Sequence, residues 1–172
     1  MGLNPTAGTL LGFLLEQPRT GWQLIVDIEA SVGNFWNVTR SQVYRELPRL
    51  AEAGLVRAGA VGDREQRPYR ITAKGRTAFR RWLAEGPPAE TRRSPLLLTT
   101  FFGEHLRDED FAAMLDEQDR RAAMTLDRYE MIEQLPMDRY QAATLRFGIE
   151  YTRLVRRWIA ETARPLVDEN GP

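Results

Sequence analysis

Apolar residues recur every three to four positions along most of this chain and alternate in only one short stretch. The first run, T-A-G-T-L-L-G-F-L-L-E-Q (Thr6–Gln17), reads as a strongly apolar helix stopped by Pro18. Thr20 then caps a second helix that ends at Gly33, with Trp22, Ile25, Val26 and Ile28 as its inward stripe. Thr39 and Gln42 have the spacing of a capping box, which opens a third helix at Arg40. Val43, Leu47, Leu50 and Gly54 form its core side. At about 100° per residue, Ser41, Tyr44, Arg45, Pro48 and Glu52 lie opposite. Pro48 therefore falls on the solvated face, where water can satisfy the carbonyl its ring deprives of a donor. A bent but continuous helix from Arg40 to Ala53 is expected.

Beyond Gly54 the period shortens to two. Leu55–Ala60 and Arg67–Thr72 read as strands joined by the polar tip V-G-D-R-E-Q, a β-hairpin. Thr72 can cap a fourth helix, A-K-G-R-T-A-F-R-R-W-L, with Phe79, Trp82 and Leu83 facing inward. Three helices, a hairpin and a helix make the order of a winged helix-turn-helix. The segment Glu85–Pro95 holds three prolines and no apolar period, so residues 1–87 are expected to form one domain and 88–94 a linker.

Residues 95–172 read as an almost wholly helical second domain. One helix spans Pro95 to His105. Another spans Asp108 to Leu135, with a seam at Phe111, Leu115, Gln118, Ala122, Thr125, Tyr129 and Ile132. A third spans Met137 to Ala163, with a seam at Tyr140, Thr144, Phe147, Tyr151, Leu154 and Trp158. Pro136 and Asp138 suit a tight reversal, giving an antiparallel hairpin. Two helices cannot cover their own apolar faces, so a C2 homodimer is expected to cover the remainder. The fold class is thus mainly α with a small β-hairpin: a winged helix-turn-helix domain plus a C-terminal antiparallel helical dimerisation domain.

Composition narrows the chemistry. The chain has no cysteine and one histidine, His105, which removes disulfides, thiolate nucleophiles and most imidazole-based catalytic or metal sites. No apolar run approaches the ~20 residues of a membrane span, and the N-terminus lacks a signal peptide's basic region, so a cytoplasmic protein without membrane contact is expected. Net charge is zero, yet eleven basic residues face four acidic ones between Trp36 and Trp82. That excess suits a polyanionic partner. No nucleophile–base pair or phosphate loop is present, and Asp108, Glu109 and Asp110 are explained by the dipole of the helix they open. Neither an enzyme nor a cofactor or metal is expected.

The first turn of the third helix carries the residues that nucleic acid requires. Arginine can bind a guanine edge or a phosphate, glutamine can read adenine, and hydroxyls reach phosphates. Arg40, Ser41, Gln42, Tyr44 and Arg45 are the candidate DNA contacts, with Arg64 on the hairpin tip and Arg67 beside it. The motifs L-L-G-F-L-L-E-Q-P-R-T-G-W-Q-L, F-W-N-V-T-R-S-Q-V-Y-R-E-L, R-L-A-E-A-G-L-V and R-P-Y-R-I-T-A-K-G follow one another over most of residues 10–83. In these the chain resembles PadR-family transcriptional regulators, in particular the longer members with a virulence-activator-like helical C-terminal domain. The resemblance implies a dimeric, cytoplasmic, usually repressing regulator of a palindromic double-stranded DNA operator, released by a small aromatic or drug-like effector. It places the groove and wing contacts on the residues just named. The chain departs from the family in having Thr20-Gly21-Trp22 where His-Gly-Tyr is common. Phe147, Tyr151 and Trp158, on the aromatic stripe of the last helix, are candidates for stacking an effector; the same rings also suit a dimer core. The competing class is a helical protein-interaction module whose winged-helix unit does not bind DNA.

Overall fold

The computed structural model describes residues 2–33, 35–60, 67–86 and 93–168. The hairpin tip with Arg64 lies outside them, as does most of the expected linker. Cα proximity divides the chain into two compact units, Met1–Glu90 and Thr91–Pro172.

In the first unit, α1 (Pro5–Phe13) starts at Asn4, whose side chain accepts from the Ala7 amide, with Pro5 in the first turn where its missing N–H costs nothing. It ends earlier than the apolar run suggests. The Leu15 carbonyl past its end receives the Arg76 guanidinium at 2.8 Å. The chain then forms β1 (Arg19–Thr20), a two-residue strand that carries no apolar alternation and was not legible in the sequence. Thr20 and Gln23 close a capping box at the start of α2 (Gly21–Ser31). The buried side of α2 is Leu24, Ile25 and Ile28; Trp22 and Val26 are exposed. This corrects the expected stripe, because α1 and α3 pack on the side one residue further round. Phe35 and Trp36 are exposed as well, and Val38 is the residue that wedges into the core before α3.

The third helix, α3 (Arg40–Glu52), runs without a break through Pro48, which faces solvent. Gly54 follows with φ 71°, the left-handed conformation that closes a helix end, and the Leu55 amide reaches back to the Leu50 carbonyl at 2.9 Å. The hairpin strands are β2 (Val56–Ala58) and β3 (Pro68–Ile71), antiparallel with Val56 opposite Ile71. β1 pairs with the other edge of β3, so the sheet order is β1-β3-β2. Thr72 caps α4 (Ala73–Ala84), placing Gly75 against the Leu55 carbonyl and Trp82 against Gly8 of α1. Phe79 and Trp82 pack inward, but Leu83 is exposed. One core joins α1, α2, α3 and the sheet through Leu10, Leu11, Leu14, Leu24, Ile25, Ile28, Val43, Leu47, Leu50, Val56 and Ile71, and Phe79 of α4 packs against it.

The second unit opens with α5 (Pro95–Phe101) and a 3₁₀ turn at Gly103–His105. Two long antiparallel helices follow, α6 (Asp108–Glu133) and α7 (Arg139–Trp158), the latter started by an Asp138–Gln141 capping box. α7 passes into a π-helical turn, Ile159–Ala163, and then α8 (Pro165–Asp168). The widening falls where Pro165 has no amide to donate. On α6 the expected seam is the buried one, with Phe111, Leu115, Ala122 and Tyr129 inward. On α7 it is not. Ile149 and Thr152 are buried, while Tyr140, Phe147, Tyr151 and Leu154 are exposed on roughly the opposite side of the helix. Both stripes have helical spacing. Gly148 decides between them, because without a side chain it admits the Tyr129 ring at the helix crossing. No helix among the described residues is long and apolar enough to cross a membrane.

Candidate nucleic-acid interface

The N-termini of α2 and α3 come together on one side of the first unit. Each is fixed by a Thr–Gln capping box, so the first turns of both helices are held by reciprocal hydrogen bonds. At α3 the Gln42 carbonyl oxygen accepts from the Thr39 amide at 2.8 Å, and the Gln42 amide donates to the Thr39 hydroxyl at 3.3 Å. Bidentate reading of adenine by Gln42 would therefore require the box to open. Ser41 Oγ sits 3.1 Å from Thr39 Oγ1 on the exposed rim. Tyr44 is exposed with its ring edge over Gly21, where a β-carbon would lie 2.8 Å from Tyr44 Cε1. Only glycine at position 21 permits that approach.

The arginines of α3 are held in two different ways. Arg45 Nε lies 3.8 Å and Arg49 Nη1 3.2 Å from the Glu46 carboxylate. Glu46 is itself buried, at 5% exposure, and also accepts from Asn4 Nδ2 at 3.1 Å. Neither periodicity nor spacing distinguished this acid. Its burial comes from α1, whose N-terminus lies against that part of α3. Arg40, in contrast, rests on the face of Trp22, with its guanidinium carbon 4.9 Å from the ring centroid.

On the sheet, Arg57 and Arg70 stand directly opposite each other and both are exposed. Like charges in that register destabilise a strand pair. Among the described residues neither belongs to an ion pair, so together they present a site of concentrated positive charge. Arg67 is exposed just before β3, and Arg64 lies outside the described residues.

In the second unit, the rings of Phe147 and Tyr151 are stacked, with centroids 6.4 Å apart and planes 4° from parallel. Trp158 does not join them; it packs against the cluster of Phe111, Leu115, Ile159 and Ala163. A separate open groove of about 520 Å³ runs beside Leu145, Arg146, Ile149, Glu150 and Arg153. Arg156 clamps Asp119 across the two long helices through bonds of 2.7 and 3.0 Å, and Arg164 pairs with Asp116. The clamp, led by the Arg156 hydrogen bonds, lowers the Asp119 pKa and raises that of Arg156. Arg107 engages Glu109 and Asp110 at the start of α6, and among the described residues no acidic or histidine cluster has the arrangement of a metal site.

A third helix with a capped, arginine-bearing N-terminus, followed by a small antiparallel sheet, defines the winged helix-turn-helix class of fold. Residues 10–81 match the PadR-like family of transcriptional regulators, and residues 92–166 match the virulence activator alpha C-terminal domain. The chain thus carries a PadR-like domain followed by a virulence activator alpha C-terminal domain. It is 36% identical over 86 residues to a probable transcriptional regulator of Mycobacterium tuberculosis; the match covers 48% of this chain and 45%, less than half, of that protein. It is 28% identical over 131 residues to the negative transcriptional regulator PadR of Bacillus subtilis, covering 73% of this chain and 72% of PadR. Its fold is shared with a PadR-like regulator of Bacillus cereus, at a TM-score of 0.84, 16% identity and coverage of 96% of this chain and 99% of that one. It is also shared with B. subtilis PadR solved with operator DNA, at 0.80 and 21% identity over 96% of this chain and 100% of PadR.

Proposed function

We propose that this chain is a dimeric repressor that binds a double-stranded operator through α3 and releases it when a small molecule binds. The observation that carries the reading is the first two turns of α3: a capped helix N-terminus on which Arg40, Ser41, Tyr44 and Arg45 are all exposed. Its amides and partial positive charge suit a phosphate, and its arginines suit guanine edges. Arg64 and Arg67 extend the contact along the hairpin to the flanking backbone. In this reading residues 1–87 bind DNA, 88–94 link, and 95–172 dimerise, in the cytoplasm where the operator lies. The exposed face of α7 at Tyr140, Phe147 and Leu154 is the surface a second copy covers. The chain acts by occupying DNA rather than by turning over a substrate. B. subtilis PadR has been crystallised with p-coumaric acid, which supports an aromatic effector here as well. Phe147 and Tyr151 are the proposed residues for stacking it at the dimer centre, while Trp158 packs in the cluster of Phe111, Leu115, Ile159 and Ala163.

The test is the paired change Arg40→Ala with Arg45→Ala. It should abolish gel retardation of a duplex selected by the wild-type protein while leaving the sedimentation coefficient unchanged. Retained retardation would show that α3 is not the recognition helix.

A further inference from the structure

We propose that Trp22 is a positioning residue for DNA recognition: its indole carries the Arg40 guanidinium and presents it to the duplex. The inference rests on the DNA-binding reading above. Trp22 is 44% exposed, a costly place for the largest side chain, and the inward side of α2 is fully supplied by Leu24, Ile25 and Ile28. What Trp22 does touch is Arg40. The 4.9 Å separation lies within the ~6 Å reach of a cation–π contact.

The geometry answers a problem of charge. Arg40 is the first residue of α3, where the helix dipole already places positive charge, so the position disfavours a cation. A neighbouring carboxylate would offset this, as Glu46 does for Arg45 and Arg49 and as Asp27 does for Arg19. It would also neutralise the guanidinium and occupy its N–H edge. The negative face of the indole offsets the repulsion from the flat side instead. A contact through the ring face uses no N–H group in an ion pair and leaves the five donors for a base edge or phosphate. Among the described residues no carboxylate pairs with Arg40. Both partners leave from first turns locked by capping boxes, at Thr20 and Thr39, so the stack fixes the guanidinium relative to the helix axis. Tyr44 on Gly21 ties the same two turns together a second time.

The experiment measures affinity for a duplex selected from a random library by the wild-type full-length chain. The proteins compared are wild type, Trp22→Ala, Trp22→Phe, Arg40→Ala and the double variant Trp22→Ala with Arg40→Ala. Trp22→Ala should weaken binding about three- to tenfold, and Trp22→Phe should recover most of that. In the Arg40→Ala background, Trp22→Ala should change affinity by less than about twofold, since the two residues act as one unit. Selection repeated with Trp22→Ala should relax base preference at the same position that Arg40→Ala relaxes. Equal losses in both backgrounds, or no loss in the wild-type background, would overturn the positioning role while leaving the DNA-binding reading intact. If Arg40→Ala binds as well as wild type, the assignment of α3 fails and this inference falls with it.

Discussion

The Asn4 side chain holds two helices at once: its oxygen accepts from the Ala7 amide at 2.8 Å, and its nitrogen donates to the buried Glu46 carboxylate at 3.1 Å. The first bond starts α1. The second joins α1 to the middle of α3, directly beneath Arg45 and Arg49. Replacing Asn4 with Ala should cost about 2 kcal/mol, combining a lost cap with a weakened set of partners for a buried charge. Asn4→Ser keeps the cap and should recover roughly half. Urea denaturation of the two variants separates the terms: equal losses would show that the cap contributes nothing, and full recovery in Asn4→Ser would show that the Glu46 bond contributes nothing.

Pro48 sits on the exposed face of an unbroken α3 and denies the Tyr44 carbonyl its usual donor. Pro48→Ala restores that donor. It should stabilise the first unit by about 2 kcal/mol, the helical gain less the added freedom of the unfolded chain. A higher urea midpoint at constant slope is the expected result, and an unchanged midpoint would show that Pro48 costs the helix nothing at this exposed position.

Gly148 is a constraint on the second unit. A β-carbon there would lie 2.8 Å from Tyr129 Oη and 2.9 Å from Cζ, and Tyr129 is buried between the long helices. Gly148→Ala should destabilise by about 1–3 kcal/mol through overpacking. Tyr129→Leu in the same chain should restore part of the loss, which a double-mutant cycle by thermal denaturation would register.

The Asp119–Arg156 clamp predicts acid sensitivity. The Arg156 hydrogen bonds hold the Asp119 carboxyl below its usual range, so the folded chain retains this charge to lower pH than the unfolded chain. Its contribution is complete above the unfolded value of about 4 and is lost as pH falls through the lower folded value. Glu117, lowered by Arg120 and Arg121, has the same sign, though its half-exposed, solvent-screened position leaves it little weight. The melting temperature should fall below about pH 4. Asp119→Asn should flatten that part of the profile relative to wild type, and an identical profile would remove the clamp from the account.

The sequence by itself determined the elements whose information is local. Capping residues at Thr20, Thr39 and Thr72 set helix starts, and helical spacing set the inward faces of α3 and α6. The change of period after Gly54 marked the hairpin, and the exposed first turn of α3 followed from its wheel. Tertiary structure decided what depends on a neighbour. Strand β1 exists because β3 offers it an edge, and Glu46 is buried because Asn4 comes from α1 to meet it. Trp22 is exposed because the core lies one residue round the helix, which leaves its face free for Arg40. On α7 two stripes of equal period competed, and the close approach of Tyr129 at Gly148 selected the one that packs. Periodicity records that a face is apolar; only packing determines which face meets which partner.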